Sequence, residues 1–172
     1  CDPHRLSDGE QERLCRGWVR QALPLLGPQV DVPSPDLMTS ARHMAWMLDE
    51  YETLVHRKAP GAVSGKPLPL GGSLGRAEST GYGLVFMLRE TLRELGIRLE
   101  STTASVQGLG MVARHAIRLY QQIGGTVVAV SCLDPRTGLP HTLRKAEGIP
   151  LAPLLAAADP FGGVDADRAH AL

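Results

Sequence analysis

Aromatic side chains are scarce in this sequence: two Trp, three Tyr and two Phe, or 4% of 172 residues. So thin a supply offers no platform on which bases could stack. Charge of one sign is missing as well, because 18 Lys and Arg balance 18 Asp and Glu. A neutral chain has no electrostatic pull toward nucleic acid or an anionic membrane surface. No apolar run approaches the roughly 20 residues needed to cross a bilayer. Three cysteines, Cys1, Cys15 and Cys132, form neither an even set nor a C-x-x-C pair. They read as reduced thiols in a cytoplasmic protein, not as a disulfide framework or zinc site. The six histidines are scattered without an H-E-x-x-H, so no metal is indicated. The chain opens with neither an initiating Met nor a basic-then-apolar leader, and its start at Cys1 reads as an internal piece of something longer.

What is present is ordinary for a globular protein, with 43% hydrophobic and 21% charged residues. The length suits one domain, or one domain and part of another. Ser7 and Glu10 form a capping-box signature with Leu6 placed as a staple, and Leu14, Trp18, Val19 and Ala22 recur at helical spacing up to Pro24. Residues 30–32 read as a short extended piece running into Pro33-Ser34-Pro35-Asp36, where each proline pushes its predecessor out of the α region. A second helix starts at Thr39 or Ser40, its apolar face Met44, Met47, Leu48, Tyr51, Leu54 and Val55. Residues 58–75, rich in Gly and Pro, form a structured loop and the natural domain seam. A third helix over 77–95 turns Val85, Leu88, Leu92 and Leu95 inward and stops at Gly96.

The strongest signal is residues 102–113. An apolar, β-branched run feeds the turn Gly108-Leu109-Gly110-Met111-Val112-Ala113, which has the form G-x-G-x-x-A. An amphipathic helix follows, with Val112, Ala113, Ala116, Ile117, Tyr120 and Ile123 inward, and then a strand over 126–131. In such an arrangement the first glycine makes the sharp turn, the second lets the backbone approach a pyrophosphate, and the small third residue lets helix and strand pack closely. Free N–H groups at the helix start face the phosphates. Gly81 and Gly83 also fit close backbone approach. Residues 135–138 read as a turn, 151–158 as one further helix, and the last dozen residues as frayed.

Three ordered strings carry a resemblance. The first is Gly27-Pro28-Gln29-Val30-Asp31-Val32-Pro33-Ser34-Pro35-Asp36, followed by Met44-Ala45-Trp46-Met47-Leu48-Asp49-Glu50-Tyr51. The second is Ser64-Gly65-Lys66-Pro67, then Gly71-Gly72-Ser73-Leu74-Gly75-Arg76 and Glu78-Ser79-Thr80-Gly81-Tyr82-Gly83. The third is Val106-Gln107-Gly108-Leu109-Gly110. Together they resemble the glutamate dehydrogenase family of amino-acid dehydrogenases, which act on Glu, Leu, Phe or Val.

The resemblance implies an α/β fold: a partial Rossmann-type dinucleotide-binding domain preceded by a helical piece of the substrate domain. Residues 1–57 would close the substrate domain, 58–75 would be an interdomain loop, and 76–172 would open the NAD(P)-binding domain. The implied reaction is oxidative deamination of L-glutamate to 2-oxoglutarate and ammonia, with NAD or NADP as cofactor. The implied assembly is a hexamer, as a homo-oligomer or hetero-oligomer. Asp36 would assist proton transfer, as a carboxylate held by two prolines can; read from spacing alone, it would be a helix-start residue favoured by the macrodipole. Thr80 would meet the nicotinamide end, and Gly108, Leu109, Gly110, Met111 and Val112 the pyrophosphate. Cys132 occupies the ribose position at the end of the second strand.

Three departures stand out. Met111 replaces a family asparagine, and a thioether cannot donate a hydrogen bond. Cys132 stands where an NAD-preferring member carries an acid, with Arg136 nearby, which leaves NADP open. The glycine-rich string bearing the family's lysines does not occur here; Lys66 belongs to a different loop. A non-catalytic regulatory subunit or an inactive fragment is therefore the alternative reading.

Overall fold

The computed structural model describes residues 2–169, so Cys1 and the last three positions of the segment expected to fray lie outside the described residues. The chain forms two compact units, Cys1–Arg76 and Ala77–Leu172.

In the first unit, helix α1 (Asp8–Ala22) and helix α2 (Ala41–Val55) pack together. Glu10 reaches back to the Ser7 N–H (2.9 Å) and hydroxyl (2.6 Å), as the capping box requires. The expected inner face of α1 is rotated, however. Leu14 and Trp18 are exposed, whereas Cys15 and Val19 are buried. Charge explains the rotation: Arg16 must face Asp49 (2.7 Å) and Glu50 (3.3 Å) on α2, and Arg20 bonds Glu50 at 2.6 Å. Residues 30–32 form no strand; a turn after Gly27 returns the chain so that Asp31 bridges Leu26. Ala59, Ala62 and Val63 join Val19, Met44, Leu48 and Tyr51 in one core, which makes the 58–75 loop part of this unit's packing.

The second unit opens with α3 (Arg76–Glu94), whose C-terminus is closed by Gly96 in the left-handed region. Val85 is buried, but Leu88 and Leu95 are not. Leu88 and Leu95 follow Gly81 by seven and fourteen residues on the same side of the helix, where the described residues leave them exposed. Strand β1 (Thr103–Gln107), helix α4 (Met111–Gln122) and strand β2 (Thr126–Leu133) form the expected βαβ unit, with β1 and β2 parallel. Strand β3 (Pro140–Arg144) then returns antiparallel to β2, giving the order β1-β2-β3. This hairpin was absent from the sequence reading, because 140–144 is short and carries His, Thr and Arg in place of apolar residues.

Helix α5 (Leu151–Ala157) and the short α6 (Ala166–Ala169) follow. The expected fraying of the last dozen residues fails between them. Val164 is fully buried, its N–H bonds the Leu133 carbonyl at 3.0 Å, and Ala158 pairs with it across a bridge. No described helix is long and apolar enough to cross a membrane.

Candidate functional site

Ser131 extends the parallel ladder into the glycine turn: its carbonyl accepts the Gly108 N–H at 2.7 Å. Gly108 sits at φ +83°, a conformation L side chains rarely adopt. Leu109 drives its side chain into the core at 2% exposure. Gly110 is the N-cap of α4 and brings no side-chain acceptor, and the first helical bond runs from the Arg114 N–H to the Gly110 carbonyl at 3.0 Å. The N–H groups of Met111, Val112 and Ala113 therefore point out of the helix start without intrahelical acceptors. A Cβ on Gly108 or Gly110 would meet nothing within 4 Å, so the outer side of the turn is open. A group that needs close backbone approach and several N–H donors, as a diphosphate does, fits this surface.

Met111 and Val112 are both about half exposed. For Val112 this corrects the expected inward face, which begins instead at Ala116, Ile117 and Tyr120. Gly81 accounts for the packing there. A Cβ at that position would lie 2.6 Å from the Val112 carbonyl and 2.8 Å from the Ala116 nitrogen, so α3 and α4 touch backbone to backbone. Thr80, exposed, is the next residue along α3 from this contact. Gly83 has no such neighbour.

Cys132 is buried, its Sγ 3.5 Å from His141 Nε2, which also lies 2.7 Å from the Val164 carbonyl. Burial pushes its thiol pKa up. A register shift in the ladder causes this orientation. Ala104 pairs with Val127 but Ser105 pairs with Ala129, so Val128 is an extra residue. The bulge breaks the period of two, and Val127, Val130 and Cys132 all face the core. Arg136 is held by three carboxylates: Asp165 at 3.0 Å, Asp167 at 2.9 Å and Asp134 at 3.6 Å. The bond to Asp167 is the main reason its pKa is raised.

Two features here escaped the sequence reading. Arg114 donates to the Leu109 carbonyl (2.8 Å) and to the Asp159 carbonyl (3.0 Å). Gly162 packs so closely on the turn that its Cβ would sit 2.5 Å from the Leu109 oxygen. The string Asp159-Pro160-Phe161-Gly162-Gly163 carried a turn signal that could have revealed the second; nothing local marks Arg114.

In the first unit, Asp36 is exposed and lies ahead of α2, whose N-cap is Ser40. That placement removes the reading of Asp36 as a helix-start residue. Its Oδ1 accepts the Leu37 N–H at 2.7 Å, and its own N–H bonds Thr39 Oγ1 at 2.7 Å. Two neighbours fix the prolines. The Pro33 carbonyl accepts the Ser64 N–H at 2.8 Å, and Gly65 abuts the Pro35 ring. Met38 is at φ +61°, a strained position for a residue with a side chain. Lys66 donates to the Val63 carbonyl at 2.9 Å.

Comparison with known proteins agrees with this architecture. The model for Glutamate/Leucine/Phenylalanine/Valine dehydrogenase matches residues 71–166, and that for the Glu/Leu/Phe/Val dehydrogenase dimerisation domain matches residues 1–53. The NAD-specific glutamate dehydrogenase of Clostridioides difficile is 43% identical over 130 residues, 76% of this chain and 31% of that protein. The catabolic NAD-specific glutamate dehydrogenase RocG of Bacillus subtilis (strain 168) is 38% identical over 164 residues, 95% and 37% respectively. Among solved structures, the hetero-hexameric glutamate dehydrogenase of Thermus thermophilus in its Leu-bound form superposes with a TM-score of 0.85 at 34% identity, over 95% of this chain and 38% of that one. The chain thus spans about a third of the length of the curated relatives it matches. With the nucleotide-type βαβ turn, the proline-held Asp36 loop and both family models on the same 172 residues, the chain belongs to the Glu/Leu/Phe/Val dehydrogenase family.

Proposed function

We propose that the full-length protein is a cytoplasmic, NAD-dependent amino-acid dehydrogenase that converts L-glutamate, by oxidative deamination, to 2-oxoglutarate and ammonia. In this reading residues 1–57 close its substrate domain, 58–75 connect, and 76–172 open its nucleotide-binding domain. The observation that carries the reading is the open glycine turn, with Gly108 at φ +83° and Gly110 capping α4. The backbone of Gly108, Leu109, Gly110, Met111 and Val112 would cradle the diphosphate, with the N–H groups beyond Gly108 as donors because that of Gly108 bonds the Ser131 carbonyl, and Thr80 would meet the nicotinamide end. When bound, the nicotinamide supplies the electron acceptor. Asp36 would hold and release the proton exchanged with the substrate nitrogen, its carboxylate kept in place by the Leu37 N–H and by Pro33 and Pro35. Cys132, with its thiol turned inward, would line the ribose position through its main chain alone.

Two observations favour NAD over NADP. The relatives are named NAD-specific. Arg136, the cation near the end of β2, is already matched by three carboxylates and has no charge to spare for a 2′-phosphate. The match of residues 1–53 to a dimerisation-domain model and the hetero-hexameric relative support assembly into an oligomer, a hexamer in full.

Asp36→Asn in the full-length protein tests the catalytic assignment. Glutamate turnover should fall by about 10²–10⁴ with NADH binding unchanged, and near-normal turnover would remove Asp36 from the mechanism. A second reading, a non-catalytic subunit of a hetero-oligomer, is favoured by Met111, whose side chain has no hydrogen-bond donor for the cofactor, and by the inward Cys132. Calorimetric titration with NAD decides between them: micromolar binding supports the enzyme, and no binding by folded full-length protein supports the subunit.

A further inference from the structure

We propose that Arg114 is the positioning residue of the glycine turn. By bridging the Leu109 and Asp159 carbonyls, it orients the Leu109–Gly110 peptide toward a bound diphosphate. The inference rests on the nucleotide reading above and adds to it a residue outside the G-x-G-x-x-A string.

A cation in the fourth position of α4 stands close to the positive end of the helix dipole, an unfavourable place. Its two charge-assisted bonds, 2.8 Å to Leu109 and 3.0 Å to Asp159, offset that cost. In a planar trans peptide the carbonyl and the N–H point in opposite directions. Holding the Leu109 carbonyl against the guanidinium therefore turns the Gly110 N–H to the other side.

Gly162 packs on the face of this same peptide, since a Cβ there would lie 2.5 Å from the Leu109 oxygen, 2.7 Å from its carbon and 3.2 Å from the Gly110 nitrogen. The loop behind it is firm. Asp159 Oδ1 accepts the Phe161 and Gly163 N–H groups at 2.8 Å each, and the Asp159 N–H bonds the Gly163 carbonyl at 2.8 Å. The Met111 side chain has no donor to offer a ligand, so the turn depends on how its main-chain donors are aimed.

NADH fluorescence titration of the full chain, with ADP-ribose and adenosine as competitors, tests this. Arg114→Ala should raise the Kd for NADH and ADP-ribose about tenfold and leave adenosine unchanged, because the turn serves the diphosphate. Arg114→Lys, which keeps a donor for one carbonyl, should fall between. If Arg114→Ala binds NADH as tightly as the parent, or loses adenosine in parallel, the role of Arg114 is overturned while the nucleotide reading stands. If the parent binds neither NADH nor ADP-ribose, both fall. Should the alanine variant lose its helical circular dichroism, the lysine variant decides. Diphosphate ligands weakened alone support the proposal, and parent-like binding overturns it.

Discussion

The two units hold their candidate site elements rigid by opposite means. In the first, a side chain is to be presented, and Asp36 stands on a loop stiffened by Pro33 and Pro35 and tied through Thr39 and Ser64. Ion pairs link its supporting helices: Arg42 grips Asp8 with both terminal guanidinium nitrogens at 2.6 and 2.8 Å, and Glu50 joins Arg16 and Arg20. In the second, the main chain is the proposed functional group. There the turn is built from glycines, and α3 meets α4 through bare backbone at Gly81. A site made of side chains is thus sensitive to charge and pH, while one made of backbone is sensitive to volume.

Volume should break the second unit first. Gly81→Ala places a methyl against the Val112 carbonyl and the Ala116 nitrogen, and about 2 kcal/mol should be lost after allowing for alanine's better helix propensity. Chemical denaturation read on that unit would show it. An unchanged midpoint would mean that the helices can part without cost.

Acid should distinguish the first unit. Burial, then the neighbouring Arg42, depresses the pKa of His43, partly opposed by Asp8. Its ring is held between Gln11 (2.8 Å) and Ser40 (3.0 and 3.1 Å), with Trp46 edge-on. A base with a lowered folded pKa contributes stability that is complete above its unfolded value, about 6.5, and declines as pH falls through the folded value. Glu50, lowered chiefly by its bond to Arg20, adds a second decline below about pH 4.3. Thermal midpoints against pH should show both steps in the first unit, and His43→Gln should abolish the upper one.

The smallest effect expected is a gain. Met38→Gly relieves the positive φ but adds unfolded-state freedom, for a net stabilisation of about 0.5 kcal/mol in the first unit. A lower melting temperature for this variant would show that the Met38 side chain contributes more packing than its backbone costs.

Periodicity and capping made the helices and the βαβ unit legible, because Ser7, Ser40, Gly96 and the glycine turn act over three or four residues. Where the reading went astray, the cause was distant. The face of α1 answers to carboxylates on α2. Cys132 lies inward because of one extra residue, Val128, which no local pattern announces. Around the candidate site, the turn at Gly108 and Gly110 was legible as local backbone. Arg114 was not, since its partner Asp159 lies 45 positions away in sequence.

Leu109 has one further consequence. With its side chain fixed in the interior, the turn surrenders its conformational freedom when the protein folds, not when a ligand arrives. Any anion that docks there encounters an ordered surface, so association carries little reorganisation entropy and departures govern the affinity.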